Sequence, residues 1–168
     1  MQKERIHTHQ APDAIGPYVQ AVRVGDLIYT SGQAGLNQAT GKLAEGGIKA
    51  QGEQTMQNLA AVLEAAGSDF NHVVKTNIFL RYMKDFAAVN EVYASFFDGQ
   101  FPARSTVAVS ALPLAALVEI EMVALVIETE VDDGEETQIV EKEEDTPKGK
   151  KGKKKTKKSK GKKNKSKK

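Results

Sequence analysis

Val73-Val74-Lys75-Thr76-Asn77-Ile78-Phe79-Leu80 is an eight-residue run rich in β-branched and apolar residues, and it reads as a strand. What flanks it decides the fold. Upstream, Ile48, Thr55, Met56, Leu59, Val62, Leu63 and Ala66 recur at helical spacing and form one apolar stripe. Gly67 stands where that helix should stop, and Ser68-Asp69 opens a new turn. Downstream, Asp85 is positioned to N-cap a second helix with the apolar face Phe86, Val89, Val92, Tyr93 and Phe96, closed by Asp98-Gly99.

Further out, Val19–Val24 and Leu27–Ser31 are β-rich and joined by Gly25-Asp26, the signature of a tight hairpin. Ser31-Gly32-Gln33 ends the second of these strands with a glycine, which lets the backbone come close to another group. Residues 37–47 read as a loop, Ala103–Val109 as a strand, the region around Pro113 as a loop, and Leu117–Ile127 as a last strand. The order β-β-α-β-α-β-β predicts an α+β domain with one mixed sheet and both helices on one face. The other sheet face is left apolar with no helix to cover it. An uncovered face of that kind predicts self-association.

Composition divides the chain near Glu128. Residues 1–127 hold nine Lys+Arg and twelve Asp+Glu, residues 128–147 hold ten acids and Lys142, and residues 148–168 hold fourteen lysines and no acid. The overall net charge of +2 therefore describes no region of the molecule. Residues 1–127 have the aliphatic content and length of one domain. Residues 128–168 have no aromatic side chain and cannot bury enough apolar surface to offset the entropy of ordering them, so they are expected to be a disordered tail. The sequence contains no cysteine, which excludes disulfides and thiolate chemistry. No apolar run approaches the ~18 residues of a membrane span, and the N-terminus lacks the apolar stretch of a signal peptide. A soluble, cytoplasmic protein is the expectation.

Arg104 lies in the strand after Phe101-Pro102, and Glu119 lies in the last strand, expected to be its neighbour. A guanidinium is a planar fork that grips a carboxylate bidentately, and a nearby glutamate can hold a water and move its proton. The pair points to a pocket for a small anionic substrate, although an Arg–Glu pair on adjacent strands is also a common surface ion pair. Glu121 points to the same side as Glu119 and reads as a solvated or interface charge. His7, His9 and His72 show no metal-ligand spacing, so no metal site is expected.

Several motifs then stand in order: Ile15-Gly16-Pro17-Tyr18, Thr30-Ser31-Gly32-Gln33, Val62–Gly67, Val74-Lys75-Thr76, Asp85–Tyr93, Pro102-Ala103-Arg104-Ser105 and Val118–Glu121. Over residues 6–127 the chain resembles the Rid family (RidA/YjgF, also called the endoribonuclease L-PSP family). The resemblance implies a chorismate-mutase-like, YjgF-type fold with a mixed six-stranded sheet and two helices on one face. It also implies a homotrimer around a central barrel, with clefts between subunits. The implied activity is hydrolysis of 2-imino acids or their enamine tautomers, released by pyridoxal-phosphate enzymes, to 2-keto acids and ammonia, without cofactor or metal. By the same resemblance Arg104 grips the substrate carboxylate and Glu119 orients the attacking water. Tyr18, Ser31, Gly32, Asn90 and Thr106 belong to the same cleft, Thr106 standing where many members have cysteine.

Read as residues alone, Ser31 serves equally well to satisfy strand-end backbone, Tyr18 to pack its loop, and Asn90 to bond within its helix. Two rival functions follow from the same sequence. The lysines of residues 148–168 would contact nucleic acid or an anionic surface weakly, which suits an RNA-binding or endoribonuclease-like translation inhibitor. Against it, that run has no interleaved aromatics, and the 1–127 region has no basic stripe. A non-catalytic small-molecule-binding regulator is the other rival, opposed by the presence of Arg104 and Glu119.

Overall fold

One mixed sheet carries two helices in the computed structural model, which describes residues 2–127. The expected tail, 128–168, lies outside the described residues. The elements run β1 (Lys3–Ile6), β2 (Ala21–Val24), β3 (Leu27–Thr30), β4 (Gln33–Ala34), α1 (Gly47–Ala65), β5 (Val73–Leu80), α2 (Phe86–Ala94), β6 (Ala103–Ala108) and β7 (Val118–Leu125). The sheet order is β1-β2-β3-β7-β5-β6, with β4 also pairing β7. Only β5 and β6 pair in parallel, as their connection through α2 requires. Since β3 and β4 share one sheet position, the sheet is six strands wide.

The core forms where the alternating strands meet the helix stripes. Thr76, Ile78 and Leu80 of β5 and Val118, Ile120, Met122 and Ala124 of β7 are buried against Met56, Leu59, Val62 and Leu63 of α1 and Val89 and Tyr93 of α2. Fully burying one such aliphatic side chain contributes roughly 1.5–3 kcal/mol. Helix α1 ends at Gly67, whose φ of +80° favours glycine. Asp69 then caps the next turn by accepting from the N–H groups of Asn71 and His72.

The opposite sheet face carries Tyr29, Val107 and Leu125, each more than two-fifths exposed, beside Lys75, Asn77 and Glu121. This is the uncovered apolar face that the element order predicts.

Three expectations change. β1 and β4 are additional strands: β1 opens on three exposed charged residues, Lys3, Glu4 and Arg5, and β4 has only two residues. Asp85 does not cap α2: a short 3-10 turn over Met83–Asp85 runs directly into the helix, so Asp85 has helical dihedrals and its side chain makes no capping bond. The third change concerns the site. β6 and β7 are not neighbours, because the β5–α2–β6 crossover sets β6 on one side of β5 and leaves the other side to β7.

Candidate functional site

The break between β3 and β4 builds the first half of the site. Tyr29 is opposite Val123 and Gln33 is opposite Ile120, so Thr30, Ser31 and Gly32 face only Glu121 and Met122. One extra residue makes a β-bulge, a device that bends a strand and re-aims its side chains. The bulge is held by hydroxyls: Thr30 Oγ1 accepts from Met122 N–H at 2.9 Å, and Ser31 Oγ donates to the Val19 carbonyl at 2.6 Å. The Ser31 hydroxyl hydrogen is thereby spent on backbone.

Glu119 lies across this bulge. A Cβ built on Gly32 would sit 2.8 Å from Glu119 Cδ and closer still to Oε1. The Glu119 carboxyl thus fills the space that a side chain at position 32 would take. The carboxyl opens on a cavity of about 520 Å³ lined by Tyr18, Ser31, Gly32, Leu114 and Glu121, among others. Burial pushes the Glu119 carboxyl above its ordinary pKa, and the nearby Glu121 charge adds to the rise. Glu121 accepts a hydrogen bond from Asn77 Nδ2 at 2.9 Å. The Tyr18 hydroxyl accepts a long contact, 3.4 Å, from Ile15 N–H.

The second half lies on β6, at an edge of the sheet. Arg104 pairs with Thr76, whose side chain is buried toward the helices, so Arg104 points to the helix side. Its guanidinium carbon lies 4.9 Å from the Tyr93 ring centroid and 5.9 Å from that of Phe86, the geometry of cation–π contact. Tyr93 is fixed in turn by donating to Thr76 Oγ1 at 3.0 Å. A cavity of about 440 Å³ is lined by Asn90, Tyr93, Phe101 and Arg104. Thr106, two residues beyond Arg104 on the same side of β6, carries a buried hydroxyl oxygen with no hydrogen-bond partner among the described residues.

Arg104 and Glu119 thus do not meet within one chain. Glu119 is opposite Phe79, three residues along β5 from Thr76 and on the other face of the sheet. Strand geometry separates the two backbones by roughly 10 Å across the sheet and about 10 Å along it. Tyr18, Ser31 and Gly32 gather with Glu119; Asn90 gathers with Arg104, and Thr106 lies on that same side. Sequence reasoning undervalued Glu121, which lines the first cavity, although its two-residue spacing from Glu119 carried the signal. It missed Leu114, exposed over the same cavity at φ +55°, because a left-handed leucine has no sequence signature. The partnership of Tyr93 with Arg104 was also hidden, Tyr93 counting only as a core position.

The model of the family described as Endoribonuclease L-PSP matches residues 8–126. A mouse protein named 2-iminobutanoate/2-iminopropanoate deaminase is 50% identical over 120 residues, covering 71% of this chain and 89% of its own. The crystal structure of RidA from the Antarctic bacterium Psychrobacter sp. PAMC 21119 has a TM-score of 0.71 at 46% identity, covering 73% of this chain and 99% of its own. That of E. coli TdcF with bound serine has a TM-score of 0.70 at 38% identity, covering 73% and 98%.

Proposed function

This chain belongs to the endoribonuclease L-PSP (Rid) family, and on that premise we propose that it is a 2-iminobutanoate/2-iminopropanoate deaminase. It hydrolyses imine or enamine intermediates released by pyridoxal-phosphate enzymes, in the cytoplasm. The observation that carries the reading is the pair of complementary half-sites: a desolvated carboxyl over one cavity and a guanidinium, with an unpartnered hydroxyl beside it, over the other. A 2-imino acid needs both. Its carboxylate matches the Arg104 fork, and its electrophilic carbon needs a directed water more than a strong nucleophile.

The chemistry is simple. Glu119 accepts a proton as water adds to the imine carbon, giving a tetrahedral carbinolamine. Starting from the protonated imine, the same carboxyl returns that proton to nitrogen and then takes the carbinolamine hydroxyl proton as the C–N bond breaks, releasing ammonia and the 2-keto acid. A carboxyl whose pKa is raised by burial suits both steps. Tyr18, Ser31 and Gly32 shape the water side, while Asn90 and Thr106 shape the carboxylate side. The serine-bound relative supports a ligand of this size and class.

Because the half-sites lie on opposite faces of one sheet, the complete site takes Arg104 from one subunit and Glu119 from another. A closed homotrimer around a central barrel, formed by the apolar face with Tyr29, Val107 and Leu125, supplies that arrangement. The three acidic residues around the larger cavity, Asp13, Glu119 and Glu121, also disfavour a phosphodiester, which weighs against the ribonuclease reading.

The test generates 2-aminoacrylate or 2-iminobutanoate in situ and follows keto-acid formation. The wild type accelerates conversion and Arg104→Ala loses roughly 10²-fold in kcat/KM. A folded wild-type protein with no acceleration would overturn the reading.

A further inference from the structure

His7, His9 and Asp13 lie in the connection between β1 and β2, and the fold brings them together although their spacing in sequence suggests no site. One ligand atom from each lies within 4.8 Å of those of the others. His7 Nε2 is 3.8 Å from Asp13 Oδ1, and the two imidazole rings meet edge to face with centroids 4.7 Å apart. An exposed His–Asp pair alone stabilises little and calls for no third group.

The backbone beneath them is fixed. Gln20, only 2% exposed, accepts from Thr8 N–H at 2.6 Å. Its side-chain amide donates to the carbonyls of Thr8, Ala11 and Pro12 at 2.9–3.2 Å. Ala11 is fully buried. One buried glutamine therefore clamps the segment that carries all three side chains, and only their exposed rotamers remain to be ordered.

We propose that His7, His9 and Asp13 form a binding site for a divalent transition-metal ion of borderline softness, zinc(II) in class. Two imidazoles and a carboxylate are the ligand set such ions take, with water completing the coordination. Calcium and magnesium require oxygen ligands and are poorly served. Metal–ligand bonds of about 2.0–2.2 Å set ligand atoms roughly 3.3 Å apart around a tetrahedral ion, which exposed side chains reach by small rotations from the observed separations. Pro12 and Asp13 also border the cavity that holds Glu119, so the bound ion sits at the rim of that cleft.

The experiment titrates the untagged, full-length protein with Zn²⁺ against a chromophoric chelator and records the visible absorption of the Co²⁺ form. One ion binds per chain, and Mg²⁺ in excess does not displace it. His9→Ala and Asp13→Asn each weaken binding by about tenfold or more, since loss of a ligand costs no less than loss of its outer support. His72→Ala changes nothing, because His72 is paired with Asp69 elsewhere. Absence of saturable zinc binding would overturn the proposal, as would binding that survives the His7→Ala/His9→Ala double substitution.

Discussion

The Glu119 end of the molecule and the Arg104 edge are built in opposite ways. At Glu119 the sheet is irregular: an extra residue in the β3–β4 position bends the strand, and a glycine makes room for the carboxyl. At Arg104 the sheet is regular, and a parallel strand pair with an aromatic helix face aims the guanidinium. One end collects two carboxylates and the other a cation. Each keeps its charge unpaired by its natural counterpart within the chain. The lesson is that one sheet can hold a carboxyl and a guanidinium on its two faces, out of each other's reach within one chain.

The sharpest break of this comparison is complementation. Arg104→Ala and Glu119→Ala are each inactive alone. Co-refolded in equal amounts, they recover roughly a quarter of the wild-type rate if the proposed homotrimer holds, since three-quarters of random trimers are then mixed and each of those regains one site in three. No recovery would put both residues in one subunit's site.

Gly32→Ala probes the irregular end alone. The new Cβ meets the mobile tip of Glu119 and no backbone, so the protein folds with unchanged melting while the carboxyl is displaced. Turnover falls by about 10²-fold, the cost of misplacing a catalytic group by an ångström. Wild-type turnover in this variant would show that the position of Glu119 over the bulge is unimportant.

Ala115→Gly tests the backbone beside that cavity. Leu114 and Ala115 both hold positive φ, +55° and +57°, and a left-handed alanine costs about 1–2 kcal/mol. Part of that gain is offset by glycine's greater freedom when unfolded, leaving roughly 0.5–1 kcal/mol of stabilisation in urea unfolding. A destabilised variant would contradict the strain.

Glu119→Gln sharpens the electrostatic difference between the ends. The carboxyl's pKa is raised in the folded protein by burial first and by Glu121 second. The native state therefore holds its proton more tightly than the unfolded chain. Glu119 favours folding fully below its ordinary pKa, and that contribution is lost as pH rises through the raised value. The variant melts above the wild type at neutral pH, and its advantage shrinks on acidification toward pH 4. A constant advantage across that range would show that the shift is absent. The smallest effect is expected from deleting residues 128–168, which leaves kcat/KM unchanged; a loss of turnover would assign the lysine-rich segment to the reaction.

Much of both ends was legible in the chain. Val73–Leu80, the apolar stripe over 48–66 and the Gly25-Asp26 turn foretold their elements nearly to the residue, and Ser31-Gly32 foretold a close approach. Ser31 itself was ambiguous, and the bond from its hydroxyl to the Val19 carbonyl is the backbone role. β1 escaped because three of its four residues, Lys3, Glu4 and Arg5, are charged and exposed, and β4 because two residues carry no period. The capping role of Asp85 failed because the preceding turn already satisfies the helix entrance.

Sequence by itself determined which residues share a face, which segments are helices and which face of the sheet is uncovered. Those properties follow from local backbone geometry: a period of two in strands and 3.6 in helices. Only the tertiary structure decided that β7 lies between β3 and β5, that Arg104 and Glu119 consequently look out from opposite faces, and that Gln20 gathers His7, His9 and Asp13. Strand order and a glutamine clamp are pairings between distant parts of the chain. Residues far apart in sequence choose them by burial and hydrogen bonding, and no local pattern records the choice.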